Sequence, residues 1–161
     1  MKLRVLWFGR RGANREADRI VETYRQRVDR RWPASDRPLR PVAGGRDNDP
    51  RRVLREEARL VDRSLDVNHR LVALDEAGRG LTSDELAGWL ADREDGGVAG
   101  LDFVIGSDLG IDAGLIDRAD LVLSLSAMTL AHPLARIVLW EQLFRATHIL
   151  GGGAYHRPKV Q

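Results

Sequence analysis

The fold is decided by residues 121–157, LVLSLSAMTLAHPLARIVLWEQLFRATHILGGGAYHR. The apolar run over residues 121–125 predicts a strand, and residues 126–131 predict a loop. A helix is expected from Pro133 to about Thr147, because proline suits a first helical position, where its missing N–H would have no intrahelical partner. This helix is apolar on almost every face. We therefore expect its own sheet and a second subunit to cover it.

A glycine run and a polar tail follow this helix. Residues 151–153 are glycines, and Tyr155, His156 and Arg157 come soon after them. A phenolate or an imidazole can accept a proton, and a guanidinium can stabilise an anion, so the tail is a candidate catalytic segment. The alternative is a terminal segment without a role, since chain termini fray unless something holds them.

Working outward from this stretch, apolar runs alternate with amphipathic ones. Strands are predicted over residues 3–8, 70–75 and 101–105, with a poor edge strand over residues 39–43, where prolines exclude a central position. Helices are predicted over residues 14–31, over residues 49–65, from a capping box at residues 82–85 through Trp89 and Leu90, and around Leu115 and Ile116. Residues 44–50 and 76–81 are predicted loops. This alternation predicts one α/β domain, residues 1–161, with a mostly parallel sheet.

Composition narrows the class of protein. The chain has 161 residues, is 43% hydrophobic and carries no long apolar run, which predicts a soluble domain with a core of its own and no membrane span. No basic and apolar leader precedes the first strand, so export is not expected. The absence of cysteine excludes disulfides and thiolate metal sites and agrees with a cytoplasmic protein.

Charge is divided unevenly along the chain. Residues 1–70 hold 19 Lys and Arg against 11 Asp and Glu, whereas residues 71–161 hold 7 against 13. The first half is therefore the better candidate for contact with a polyanion such as RNA. Solvated arginine-rich helix faces are the alternative.

Three predicted strands are followed by loops that suit a ligand site. These loops span residues 74–80, 106–110 and 125–130. In open parallel sheets, ligands bind outside the carboxyl ends of the strands, and glycine lets the main chain approach a ligand closely. Ordinary turn chemistry after a strand is the alternative interpretation.

Long motifs carry a resemblance to a known family. They are LSLSAMTLAHPLARIVLWEQLFRA followed by AYHR, the opening KLRVLWFGR, Tyr24 in ETYRQR, LVALDEAGRGLTS and VIGSDLG. Together they resemble the ribosomal RNA large subunit methyltransferase H family, which belongs to the SPOUT superfamily of knotted methyltransferases. The resemblance covers the whole chain, and it implies a deep trefoil knot that general topology rules would disfavour.

The resemblance implies an S-adenosylmethionine pocket. Its implied residues are Leu74, Gly106, Gly110, Leu125, Ser126, Ala127, Met128, Thr129 and Leu130. A branched side chain at Gly106 is expected to occupy space that the ligand needs. Ser107 stands where the family usually has glycine. If that position required a positive φ, serine would cost of order 1 kcal/mol.

The resemblance also implies the reaction. Similar proteins methylate N3 of a pseudouridine in 23S rRNA within the 70S ribosome, as homodimers whose tail reaches the neighbouring subunit's cofactor pocket, with neither a metal nor a membrane involved. Candidate catalytic residues are His132, Arg136, Tyr155, His156 and Arg157. Glu141 and Arg145 are spaced as a helical i, i+4 pair, whereas Arg136 lies five positions before Glu141. Arg136 is thereby left as the arginine for substrate.

Two other functions are compatible with parts of the sequence. A ribosome-binding module that has lost turnover is favoured only by Ser107. A nicotinamide enzyme is disfavoured, because the loop after the first strand lacks the third glycine of the Gly-x-Gly-x-x-Gly fingerprint.

Overall fold

The computed structural model describes residues 1–42, 49–153 and 155. The elements are β1 (Lys2–Phe8), α1 (Arg15–Val28), β2 (Ala34–Leu39), α2 (Pro50–Asp62), β3 (His69–Gly80), α3 (Ser83–Asp95), β4 (Gly100–Ile105), α4 (Ala113–Asp117), β5 (Leu121–Ser124) and α5 (His132–Leu150). Within the described residues, five strands form one sheet in the order β2-β1-β4-β3-β5. All of their pairings are parallel. The predicted α/β class is confirmed, and the knot stays a prediction.

Local signals explain where the helices begin. The Asn14 side chain accepts a hydrogen bond of 3.0 Å from the Ala17 amide and caps α1. At α3 the predicted capping box is present, because Thr82 accepts from the Glu85 amide and Glu85 accepts from the Thr82 amide. These contacts satisfy amides that a helix amino end otherwise leaves without partners.

Alternation along the strands divides the core between the two faces of the sheet. On one face, β1 and β4 pack against α1, α3 and α5 through residues such as Val5, Phe103, Val21, Leu90 and Trp140. On the other face, they pack against α2 and α4 through residues such as Leu6, Val104, Val61 and Leu115. On the first face, α5 packs against both α1 and α3. Most of its apolar surface is thus covered by its own chain.

The predicted edge strand over residues 39–43 is wrong. The strand is β2, Ala34–Leu39, which ends where the prediction began. It does lie at an edge of the sheet, and Pro38 stands opposite Trp7 in the register. Proline is tolerated at a sheet edge, where the missing N–H leaves no neighbouring strand without a donor. Residues 43–48, which include most of the predicted loop, lie outside the described part of the chain.

The predicted loop over residues 76–81 is also wrong in part. Strand β3 pairs with β5 a second time after an irregularity, because both Leu74 and Arg79 stand opposite Leu123. Residues 75–78 are the excursion between the two pairings. The bulge therefore carries Asp75 and Glu76 out of the regular ladder at the carboxyl end of the sheet.

A buried carboxylate joins the other ends of three neighbouring strands. Asp102 of β4 accepts a hydrogen bond of 2.6 Å from Arg4 Nε of β1 and one of 3.0 Å from the Asp66 amide. Its Oδ1 also lies 2.8 Å from His69 Nδ1 of β3. Burial alone would raise the pKa of this carboxyl, but these donors outweigh it and lower the pKa.

Candidate active site

The carboxyl ends of β3, β4 and β5 surround a cavity of about 450 Å³. Of the nine residues that the resemblance implies for the cofactor, all except Ala127 line this cavity. They are Leu74, Gly106, Gly110, Leu125, Ser126, Met128, Thr129 and Leu130. Asp75, Glu76 and Ser107 also line it. The sheet brings these loops together because parallel strands present their carboxyl ends on one edge.

The loop after β5 is held in shape by short-range hydrogen bonds. Ser124 Oγ donates to the Ser126 carbonyl at 3.0 Å, and Ser126 Oγ accepts from the Met128 amide at 2.9 Å. Thr129 Oγ1 donates to Glu76 Oε2 at 2.6 Å, which links this loop to the bulge of β3. This wall of the cavity is therefore held in shape by hydrogen bonds within the chain.

The loop after β4 is a tight turn whose glycines have different roles. The Gly110 amide donates to the Ser107 carbonyl at 2.8 Å, and Gly110 has a φ of 86°. A Cβ atom added to Gly106 would lie 2.2 Å from the Gly110 carbonyl oxygen. One glycine is required by backbone conformation and the other by space.

Ser107 brings no strain to this turn. No residue other than glycine has a positive φ in the described ranges, and Ser107 lies within them. The condition under which serine would weaken the turn is therefore not met. Ser107 therefore gives no support to a ribosome-binding module without turnover.

His132 begins α5 and stands between two cavities. Its ring lines the cavity at the strand ends and also a smaller one of about 150 Å³ that Trp7, Asn14 and Pro133 help to form. Its Nε2 lies 3.1 Å from a carboxylate oxygen of the exposed Asp108. Its Nδ1 is buried and has no hydrogen-bond partner in the part of the chain that the structure describes.

Arg136 is buried and each of its three side-chain nitrogens donates to a carboxylate, so the premise that it lacks a partner is wrong, while its role toward the substrate stays a prediction. Its Nε and one terminal nitrogen donate to the two carboxylate oxygens of Asp36 at 2.9 and 2.7 Å. The other terminal nitrogen donates to Asp18 at 2.7 Å. The guanidinium carbon also lies 4.0 Å from the centre of the Trp7 ring. Its partners are distant in sequence, and helical spacing from Glu141 could not reveal them.

Asp36 is the centre of a buried polar cluster that the sequence did not indicate. Besides Arg136, it accepts hydrogen bonds from Trp7 Nε1 at 3.0 Å and from Trp140 Nε1 at 2.9 Å. Burial alone would raise the pKa of the neighbouring Asp18. Hydrogen bonds from the Gly12 amide and from Arg136 outweigh this effect and lower the pKa. The cluster ties α5 to β1, β2 and α1. It thereby fixes the amino end of α5, where His132 stands.

Tyr155 packs against the far end of α5. Its hydroxyl donates to Glu141 Oε1 at 3.1 Å, and its ring centre lies 4.7 Å from that of Phe144. Hydrogen bonding with Tyr24, burial and the Glu141 carboxylate raise the pKa of Tyr155, so its phenolate is disfavoured in this position. The predicted Glu141–Arg145 ion pair is present.

Within this chain, Tyr155 is remote from the cavity. The 19 residues of α5 span about 28 Å, with His132 at one end and Tyr155 packed near the other. His156 and Arg157 lie outside the described residues. The described chain thus brings together His132 and the predicted cofactor residues other than Ala127, and it leaves Tyr155 away from them. Arg136 lines the smaller cavity beside His132 but not the larger one.

The described residues contain neither a cluster of metal-binding side chains nor a helix that could cross a membrane. Ranges 1–42 and 49–153 contain no group of three or more His, Asp or Glu side chains that could hold a metal ion. In the same ranges, no helix has the length and apolar character needed to cross a membrane.

Comparison with known proteins adds relatives over nearly the whole chain. A family model described as predicted SPOUT methyltransferase matches residues 1–156. Ribosomal RNA large subunit methyltransferase H of Allorhizobium ampelinum is 40% identical over 160 residues, which are 98% of this chain and 99% of that protein. The protein of the same name from Laribacter hongkongensis is 38% identical over 162 residues, with 98% of this chain and 99% of that protein covered.

One solved structure has a weaker likeness. It is the SpoU methyltransferase AviRb from Streptomyces viridochromogenes in complex with the cofactor AdoMet, at 16% identity and a TM-score of 0.44, over 91% of this chain and 58% of that one. This likeness is too slight to carry an argument, and the family follows from the sequence matches. The chain belongs to the SPOUT methyltransferases and, among them, to the ribosomal RNA large subunit methyltransferase H family.

Proposed function

We propose that this protein transfers a methyl group from S-adenosylmethionine to 23S rRNA of the large ribosomal subunit. The target is N3 of a pseudouridine in the assembled 70S ribosome, and the enzyme is a cytoplasmic homodimer of single-domain subunits. The observation that carries the proposal is the cavity at the ends of β3, β4 and β5. Its lining contains almost every residue that the family resemblance implies for the cofactor. The names of the relatives support rRNA as the substrate.

The cavity fits the cofactor in size and chemistry. A volume of about 450 Å³ lies within the range of pockets for small ligands. The main chain of residues 125–130 would accept a flat base with hydrogen bonds to its edge. The carboxylates of Asp75 and Glu76 provide negative charge for a cationic ligand. When bound, S-adenosylmethionine supplies an electrophilic methyl carbon, so the protein has to position the acceptor and remove its proton.

His132 is the described residue best placed to accept that proton. It lies in the wall of the cavity, its Nδ1 has no partner among the described residues, and Asp108 lies beside its Nε2. A carboxylate beside one ring nitrogen orients an imidazole for proton transfer. Arg136 does not line this cavity and acts as a positioning residue through Asp36. Tyr155, His156 and Arg157 are proposed to complete the site from the partner subunit.

The first experiment is methyl transfer from labelled S-adenosylmethionine to unmethylated 70S ribosomes. We expect label at a single pseudouridine, and none when the ribosomes already carry the modification. Absence of transfer, with cofactor binding intact by calorimetry, would contradict the proposal. Labelling of another base would restrict it to rRNA methylation.

The tail is tested by deleting residues 155–161. We expect cofactor binding to persist, and single-turnover transfer on saturating ribosomes to fall at least about a hundredfold, the lower range for losing a general acid or base. His156→Ala should reproduce part of this loss if the imidazole is the base. Tyr155→Phe serves as the matched variant. Because the pKa of Tyr155 is raised, we expect this variant to have a smaller effect. Full activity of the truncated enzyme would leave His132 as the candidate base.

A further inference from the structure

A second large cleft lies at the opposite end of α5 from the cofactor cavity. Its volume is about 430 Å³. Three arginines and three residues of α5 define this basic cleft: Arg27, Arg30, Arg31, Phe144, Thr147 and His148. Arg27 lies in the last turn of α1, and Arg30 and Arg31 follow in the turn after this helix. The cleft takes no part in the cofactor site described above.

Two of these arginines carry uncompensated positive charge. Arg31 pairs with Glu94 at 2.7 Å. Arg30 is exposed and makes no hydrogen bond or ion pair with any described residue. The guanidinium of Arg27 lies 5.3 Å from the centre of the Phe144 ring and has no carboxylate partner in ranges 1–42 and 49–153. Stacking holds this guanidinium in place at the cleft while leaving its N–H donors free.

The wall of the cleft has a further polar group without a partner. His148 packs edge-on against Phe144, with ring centres 4.6 Å apart. Its Nδ1 is buried and meets no hydrogen-bond partner within the described residues. A concave surface with free guanidinium groups, an aromatic floor and an imidazole differs from a solvated arginine face, where side chains extend separately into water.

We propose that the basic cleft binds the phosphodiester backbone of the substrate rRNA. This inference rests on the proposed function, because it assigns a contact to the same substrate. Guanidinium groups present planar, paired N–H donors that match phosphate oxygens, and phosphate contacts position a nucleic acid without reading its sequence. All three arginines of the cleft belong to the arginine-rich first half of the chain, where the charge division predicts contact with a polyanion.

The test is the salt dependence of binding to unmethylated 70S ribosomes, measured by cosedimentation over a series of KCl concentrations. Arg30→Gln removes one charge without disturbing a contact, and the double variant Arg27→Gln/Arg30→Gln removes two. Each lost phosphate contact should reduce the slope of log affinity against log salt by about 0.7–0.9. If affinities converge near 1 M salt, binding at 0.1 M should weaken about five- to eightfold per arginine. Cofactor affinity, measured by calorimetry, should not change.

Arg55→Gln is the matched control, because Arg55 is an exposed arginine of α2, on the other face of the sheet. It should bind ribosomes as the wild type does. Equal losses in Arg55→Gln and Arg30→Gln would overturn the proposal, as would a double variant with unchanged affinity and slope. A wild type that binds neither ribosomes nor free rRNA would also overturn it.

Binding and catalysis fail separately in this design. If the double variant loses affinity while the wild type transfers no methyl group, the cleft binds RNA and the proposed reaction is wrong. If the wild type methylates ribosomes and the double variant binds them normally, the reaction stands and the cleft has another role.

Discussion

At the scale of single residues, the two glycines after β4 look alike in sequence and differ in function. Gly110 adopts a positive φ, which a residue with a side chain rarely tolerates. Gly106 has no such requirement, but a Cβ there would meet the Gly110 carbonyl oxygen at 2.2 Å. The sequence predicts a clash between a larger side chain and the ligand. The structure shows that the side chain would clash first with the main chain of its own loop, at Gly110.

Gly106→Ala should therefore weaken cofactor binding even though alanine is small. Relief of the contact requires the turn after β4 to move, and overpacking of this kind costs about 1–3 kcal/mol, which corresponds to about 5- to 150-fold in affinity. Calorimetric titration with S-adenosylmethionine measures the change. Gly88→Ala is the control, because an added Cβ at Gly88 meets nothing within 4 Å. Equal affinity of both variants would place the ligand away from this turn.

At the scale of secondary structure, Asp102 joins β4 to the strands on both sides of it. Its carboxylate is buried and contacts Arg4 of β1 and His69 of β3. The pKa of Asp102 is lowered in the folded protein, so ionised Asp102 stabilises the fold above its unfolded pKa near 3.8. This contribution is lost as the pH falls through the lower pKa of the folded state.

Asp102→Asn should lower the free energy of unfolding by about 3–5 kcal/mol at pH 7, because the partly buried Arg4 is left without an ionised partner. The difference between variant and wild type should narrow below pH 3.8, where the unfolded chain takes up the proton. Urea unfolding from pH 3 to pH 7 measures both effects. Asp62→Asn removes an exposed partner of Arg118 and should cost less than about 1 kcal/mol. A difference for Asp102→Asn that does not vary with pH would contradict the assignment.

Sequence patterns located most elements because their signals are local. Strands β1, β3, β4 and β5 each contain an apolar run, and the capping box places α3. Strand β2 was misplaced because its residues, ASDRPL, alternate weakly, and its stability comes from pairing with β1. The second pairing of β3 with β5 and the Asp36–Arg136 contact depend on residues far apart in the chain. Contacts of this kind leave no periodic signal in a single sequence.

The cofactor cavity was more predictable than the catalytic groups. Strand ends in a parallel sheet meet at one edge, so loops after successive strands can be assigned to a common site from the pattern alone. Partners of a single side chain cannot be assigned in this way. Arg136 appeared free because only its helical neighbours could be considered. The basic cleft shares this difficulty, since it needs the packing of α1 against α5 to become concave.

At the scale of the whole molecule, the proposed homodimer rests on an exposed residue of α5 and not on the whole apolar helix. The apolar character of α5 was expected to exceed what its own chain could cover. The structure covers most of it with the sheet, α1 and α3. Leu134, 54% exposed, remains on the surface at the start of this helix, next to His132. An exposed leucine beside a functional site is a candidate contact for a second subunit.

We expect the protein to be a dimer at micromolar concentration and Leu134→Asp to shift it toward monomer, because a charge buried at an interface has no partner. Light scattering coupled to size exclusion measures the mass. Val67→Asp is the control, because Val67 is 96% exposed but lies in the turn between α2 and β3. A wild type that is monomeric would contradict the dimer and the contribution of the tail to a partner's cavity.

The contact between Asp36 and Arg136 also has a consequence for how the protein is made. The two residues are 100 positions apart, and the carboxylate is buried beneath α5. While the chain is being synthesised, β1, α1 and β2 emerge long before the helix that covers them, and Asp36 lacks its buried partner Arg136. Contacts of such long range form slowly, and a core that depends on them stays open until they close. The core around Asp36 therefore closes only after α5 has left the ribosome that makes it.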